Sequence, residues 1–166
     1  MQRHLVLMRH AKSSWVEPGM SDHQRPLDPR GRADAPRMGR ELATRGWAPR
    51  LVVSSDAART LETWALLAPE LGAADVQVQC SERLYLGGLT DLRRHSVGWD
   101  SSIDRAMALG HNPGWSDAAS ILSGHPISMT TANCALLRGA GPTWVEALSK
   151  PWELVALLRP RELSVP

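Results

Sequence analysis

The stretch Leu5-Val6-Leu7-Met8-Arg9-His10 sets the first limit on the fold. Its apolar run has the length of a buried strand and is bounded by polar residues. The same grammar recurs along the chain: an apolar run, then small or cationic residues, then a helix-like segment. Leu51-Val52-Val53 gives way to Ser54-Ser55-Asp56 and a helical pattern over 57–71, where Leu61, Trp64, Ala65, Leu67 and Ala68 can pack. Residues 103–109 contain another strand, ending at Gly110-His111-Asn112-Pro113-Gly114 ahead of a helix over 115–122. Strands and helices that alternate in this way build a parallel sheet covered on both faces. The expectation is an α/β fold, a three-layer α/β/α sandwich with a mostly parallel sheet, as a single domain over 1–166.

The remaining elements fit that frame. A helix over 31–45 carries Ala35, Met38, Leu42 and Ala43 at helical spacing, with Gly46 as its stop. A short strand at 76–78, a loop over 81–88 and a helical pattern over 89–97 follow. Residues 134–137 and 154–158 read as the last two strands. With Thr143-Trp144-Val145-Glu146-Ala147-Leu148 between them, they can instead form an antiparallel edge.

Composition excludes some function classes. The net charge is +2, with Asp and Glu interspersed among the Arg and no basic run, which argues against nucleic acid as a partner. No apolar stretch reaches transmembrane length and no signal-peptide pattern opens the chain, so a soluble cytoplasmic protein without a membrane partner is expected. Cys80 and Cys134 have neither CxxC nor metal-ligand spacing; two reduced, buried thiols are the expectation, with a disulfide left open. The seven Trp and absent Phe suggest no function.

Open α/β sheets carry their ligands at the C-terminal ends of the strands. That edge should gather Arg9 and His10 after the first strand, Arg59 one turn into the helix after the second, and His111 after the fourth. Turns that lead into helices add unpaired backbone N–H groups. Two Arg, two His and several helix N-termini describe an anion site, and the fixed fork of Arg suits phosphate. A neutral imidazole nitrogen is also a competent nucleophile toward phosphorus, provided that a hydrogen bond holds the other ring nitrogen as N–H. The second His and the two Arg would neutralise charge on the transferring phosphoryl group, so no metal or other cofactor is expected.

Leu7-Met8-Arg9-His10-Ala11-Lys12, Ser54-Ser55-x-Ala57-x-Arg59-x-x-x-Thr63 and Gly110-His111-Asn112-Pro113 resemble the histidine phosphatase superfamily, formerly grouped with the phosphoglycerate mutases. Arg9-His10-Ala11-Lys12-Ser13-Ser14-Trp15, Arg25-Pro26-Leu27-x-x-Arg30-Gly31 and Leu84-Tyr85 are similar to its small branch, related to the phosphohistidine phosphatase SixA. Ala11 stands where the wider superfamily commonly has Gly, a departure typical of that branch. The resemblance covers nearly the whole chain. It implies that His10 becomes phosphorylated and that Arg9, Arg59 and His111 line the phosphate pocket. Ser13 and Asn112 would add polar contacts, and Arg25, from a polar loop, could reach the substrate.

Larger relatives use a carboxylate after the third strand to protonate the leaving alkoxide, and Glu82 is the one in about that place. Its local context differs from theirs. A readily departing group such as the imidazole of phosphohistidine can dispense with a strong acid, whereas an ordinary phosphate ester cannot. The chain also leaves no room for a cap domain. Both features point to an exposed substrate such as a phosphorylated protein, with small phosphorylated substrates or a catalytically silent phosphate-binding module as alternatives. His4, His23, His95 and His125 show no ligand spacing and read as ordinary core or surface histidines; Lys12, Ser14 and Arg30 read as solvated or structural.

Overall fold

A computed structural model describes residues 1–163. Six strands form one sheet: β1 Gln2–Arg9, β2 Leu51–Ser55, β3 Gln77–Ser81, β4 Arg105–Gly110, β5 Cys134–Ala140 and β6 Glu153–Leu158. Their order is β3-β2-β4-β1-β5-β6. The first four in that order pair in parallel. Strand β5 runs antiparallel to both β1 and β6, so the last two segments do form an antiparallel edge.

Successive strand residues point to opposite faces. In β1, Leu5 and Leu7 pack with Leu92, Trp115, Ala118 and Trp144, on the face covered by α3 (Leu89–His95), α4 (Gly114–Ser123) and α5 (Trp144–Leu148). Val6 and Met8 pack with Ala35, Met38, Leu42 and Leu67, on the face covered by α1 (Pro29–Thr44) and α2 (Ala58–Leu67). Because both faces are buried, the central strands read as continuous apolar runs. The three-layer arrangement is the expected one. The connection from β3 to β4 carries only the seven-residue α3 and single 3-10 turns, and no cap domain is inserted there.

Each boundary has a local cause. Asp28 caps α1 by accepting from the Gly31 amide at 2.8 Å, and Pro29 takes the first helical position, where its missing N–H costs nothing. Gly46, at φ +75°, ends the segment. The helix expected over 57–71 is α2 followed by a 3-10 turn at Ala68–Glu70, where Pro69 lacks the donor an α-helical turn requires. Strand β3 falls later than the expected 76–78. It is an edge strand paired only with β2, and its mostly exposed residues give no continuous apolar run.

One other expectation needs correction, and one buried cation gave no sequence signal. Cys80 lies exposed on β3 rather than buried; Cys134 is buried, and both thiols are free. Arg3 is fully buried inside β1, where it donates to the carbonyls of Ile103, Gly141 and Pro142. A buried guanidinium is tolerated only when its donors are satisfied in this way. Three of the tryptophans, Trp99, Trp144 and Trp152, pack successively beside that residue.

Gly110, the last residue of β4, lies directly against the Trp115 indole. A Cβ at that position would meet ring atoms at 2.7 Å. The indole is fixed by donating from Nε1 to the Ala108 carbonyl at 2.9 Å. Gly110→Ala should therefore overpack this face and lower stability by about 1–3 kcal/mol in chemical denaturation. An unchanged denaturation midpoint would show that the indole moves aside freely.

Candidate active site

The strand pairing itself assembles the centre of the site. In the parallel β1–β4 ladder Arg9 is in register with Gly110, and the His10 amide donates to the Gly110 carbonyl at 3.0 Å. The next residues, His10 and His111, therefore leave neighbouring strands side by side. Their ring centroids are 5.3 Å apart, close to the spacing of adjacent strands. Both side chains are buried.

His10 Nδ1 lies 2.7 Å from the Ala11 carbonyl, a group that can only accept, so Nδ1 carries the hydrogen. Nε2 is left with its lone pair, and Arg59 Nε donates to it at 3.3 Å. The Ala11 peptide is itself fixed: its amide donates to Thr63 Oγ1 at 3.0 Å, and that hydroxyl donates to the Arg59 carbonyl. The first turns of α2 thus hold both the nucleophile candidate and the cation beside it.

Arg59 is almost fully buried. Its Nη1 donates to the Asp22 carbonyl at 2.6 Å and its Nη2 to Asp22 Oδ2 at 3.0 Å. The Asp22 carboxylate also accepts from Arg25 Nε and from the Tyr85 hydroxyl. Tyr85 in turn packs edge-on against His111, with centroids 5.4 Å apart. His111 Nε2 lies 2.8 Å from Ser55 Oγ, which already accepts from the Ala57 amide at 3.2 Å. His111 Nδ1 is buried without a partner, as is Arg9 Nε, while Arg9 Nη1 donates to the Met129 carbonyl. The structure therefore brings together all four residues expected at the centre.

The outer candidates fare differently. Ser13 Oγ is taken up by accepting from Arg25 Nη1 at 2.7 Å, and Arg25 stacks on Trp15, its carbon Cζ 3.4 Å from the ring centroid. Arg25 is buried. The Asn112 amide is likewise committed to protein groups. It donates to the Met129 carbonyl and accepts from the Ser116 amide and hydroxyl, shaping the turn into α4. Glu82 is exposed and lines an outer cleft with His23, Asp56, Arg83 and Tyr85.

Several contributors were not singled out from sequence. Asp22 and Tyr85 buttress Arg59, Ser55 holds His111, and Thr63 positions Ala11. His23 is also more than a solvated histidine, since it pairs with Asp56 at 2.8 Å and packs against Tyr85. The Ser and Thr of the 54–63 block and Tyr85 were visible within motifs, though without assigned roles, whereas Asp22 and His23 sit in a polar loop without any pattern.

Electrostatics favour neutral rings in a positively charged site. Burial, then the Arg59, Arg9 and Arg25 guanidiniums, push the His10 pKa down to about 4, against the opposing pull of the Ala11 carbonyl. Burial, His10 and the same Arg59 and Arg9 push His111 down to about 3. Asp22, hydrogen-bonded by Tyr85 and paired with Arg25 and Arg59, is held down to about 2 and stays ionised. Arg9 lies below its ordinary value through burial and the nearby Arg59.

Both histidine values lie below the unfolded value of 6.5, so the unfolded chain binds more protons between pH 6.5 and about 3. The stabilisation from keeping these rings neutral is complete above that window and is lost as pH falls through it. NMR titration of the oxyanion-free protein should show neutral His10 and His111 rings at pH 6, with midpoints near 4 and 3. Midpoints near 6.5 would contradict the placement of the cations around them.

Comparison with known proteins agrees with this architecture. Residues 5–85 match the sequence model of the histidine phosphatase superfamily (branch 1). An uncharacterised chloroplastic protein of Arabidopsis thaliana is 39% identical over 172 residues, spanning 96% of this chain and 79% of its own. A structure from Nakamurella multipartitia assigned to phosphohistidine phosphatase SixA is 28% identical, with a TM-score of 0.80 over 96% of this chain and 97% of that one. The protein histidine phosphatase SixA complexed with tungstate shares the fold, with a TM-score of 0.82 at 18% identity over 99% of this chain and 100% of that one. The chain belongs to the histidine phosphatase superfamily and resembles its SixA-like members.

Proposed function

We propose that this protein is a metal-independent phosphatase that works through a covalent phosphohistidine at His10, with phosphohistidine of a protein as its substrate. The observation that carries this reading is the fixed His10 tautomer. Nδ1–H is held by the Ala11 carbonyl, and the Nε2 lone pair faces the guanidinium of Arg59. A nucleophile requires that lone pair, and an incoming phosphoryl group requires the adjacent cations.

In the first step Nε2 attacks phosphorus, the bond from phosphorus to the substrate nitrogen breaks, and the departing imidazole takes up a proton from solvent. In the second step water attacks the phosphoryl group and gives a proton to solvent. The bond to Nε2 breaks, and orthophosphate leaves. Arg9 and Arg59 neutralise the oxygens in both steps. In this reading Ser55 Oγ, which accepts from the Ala57 amide, gives its own hydrogen to His111 Nε2. That leaves His111 Nδ1–H to donate to the oxyanion. Asp22 clamps the Arg59 fork; held ionised, it is no proton donor.

Ser13, Arg25 and Asn112 support the pocket from behind in this reading. Glu82, on the rim, is the carboxylate that could protonate an ester leaving group, a task that phosphohistidine does not impose. The SixA names among the structural neighbours and the absence of a cap over the β3–β4 connection support an exposed phosphoprotein substrate. Two free thiols support a cytoplasmic setting, although the Arabidopsis relative is labelled chloroplastic. Among the described residues, no helix is long and apolar enough to cross a membrane.

Brief incubation with a radiolabelled phosphohistidine protein should yield an acid-labile, base-stable phosphoenzyme. The label should be lost in His10→Ala, and Arg59→Ala should lower turnover by about 10²-fold or more. Glu82→Gln should leave this turnover unchanged. Full labelling of the His10→Ala variant would overturn the nucleophile assignment.

A further inference from the structure

A second cleft, of about 370 Å³, opens beside the reactive centre and is lined by Arg9, Lys12, Arg30, Thr130, Thr131 and Arg161, with Pro160. Four of these side chains are cationic and none is a carboxylate. Their positions come from distant parts of the chain: the end of β1, the start of α1, the turn before β5 and the C-terminal 3-10 turn at Pro160–Glu162. That last turn is tied to α1, since Arg37 Nη2 donates to the Pro160 carbonyl at 3.1 Å.

The charge in this cleft is poorly compensated. Among the described residues, Arg9, Lys12 and Arg161 make no ion pair. Arg30, which is well exposed, reaches Asp34 only at 3.5 Å. By contrast, Arg32, Arg40, Arg45, Arg138 and Arg159 each pair with a glutamate. Like charges gathered without partners repel one another, and a bound anion would remove that cost.

Arg9 belongs to both places. It follows β1 directly before His10, and it also lines the second cleft, with Nε buried and unpartnered. The cleft on the other flank, lined by His23, Asp56, Glu82, Arg83 and Tyr85, contains two carboxylates and offers no such anion site. The reactive centre thus has one strongly cationic flank and one mixed flank.

We propose that the Arg9, Lys12, Arg30 and Arg161 cleft is a subsite for a second phosphoryl group of the substrate, which Arg9 bridges to the group reacting at His10. This deepens the phosphatase reading and rests on it: the substrate, or the segment of it that docks, is at least doubly phosphorylated. A phosphoryl dianion suits four clustered cations better than a single carboxylate does, and Arg matches its oxygens with two parallel donors. The Thr130 and Thr131 hydroxyls supply neutral donors at the same wall.

The test uses unreactive ligands, so it does not depend on turnover. Calorimetric binding of butylphosphonate is compared with that of α,ω-alkane bisphosphonates of increasing spacer length. At one spacer length the bisphosphonate should bind at least about tenfold more tightly than the monophosphonate, with one ligand per protein. That advantage should vanish in the Lys12→Ala/Arg161→Ala double variant, while monophosphonate affinity and turnover of para-nitrophenyl phosphate stay unchanged. Equal affinity of the two ligands at every spacer length would overturn the proposal, as would an advantage that survives in the double variant. A preference for a glutamate-flanked phosphopeptide over every bisphosphonate would instead assign the cleft to carboxylates. A failed His10 labelling experiment would remove the reactive-site reading and leave these binding results standing.

Discussion

The register of two neighbouring strands is the constraint on which the site depends. Pairing Arg9 with Gly110 across the β1–β4 ladder leaves His10 and His111 adjacent at the same edge of the sheet. A slip of one residue would send one of the two rings to the opposite face. That register is set by burial on both faces, because Leu5 and Leu7 serve one core while Val6 and Met8 serve the other. Gly110 contributes by letting the Trp115 indole lie directly beneath the end of β4. The geometry of the His10–His111 pair is therefore a product of core packing, and disturbing the core under β4 would disturb it too.

Around that pair the protein assembles cations before any substrate arrives. Burial and the surrounding guanidiniums keep both imidazoles neutral, which is the state a nucleophile needs. Arg59 is kept from drifting by a buttress of Asp22, Arg25 and Tyr85. Donors fixed in advance need not reorganise during transfer, and this is the main source of such stabilisation in enzymes. The same positive field extends through Arg9 to the cleft shared with Lys12, Arg30 and Arg161. An anionic ligand would meet one continuous cationic surface, with the His10 imidazole at one end.

Much of this was legible in the sequence because the central strands, buried on both faces, advertise themselves as apolar runs followed by functional residues. Arg9, His10, Arg59 and His111 all sit at such junctions, and the structure brings them together. The edge strand β3 was misplaced because only one strand pairs with it and half-exposed residues leave no run. Asp22 and His23 lie in a loop whose conformation is set by tertiary contacts, so spacing offered no signal. Ser13 and Asn112 are placed near the site, but their polar atoms are engaged by Arg25, Ser116 and the Met129 carbonyl. Arg3 shows the limit from the other direction. A cation inside a strand reads as an exposed residue until three carbonyls from two distant turns are seen to converge on it.

The central claim is that one oxyanion is held jointly by two imidazoles and two guanidiniums, with His10 Nε2 as the bonding atom. A crystal structure of the protein with vanadate, a mimic of the transferring phosphoryl group, tests this most directly. The account predicts vanadium bonded to His10 Nε2, with its oxygens contacted by Arg9, Arg59 and His111 Nδ1. Vanadate bonded to another residue, or seated in the pocket with His10 turned away and Arg59 still facing only Asp22, would contradict it.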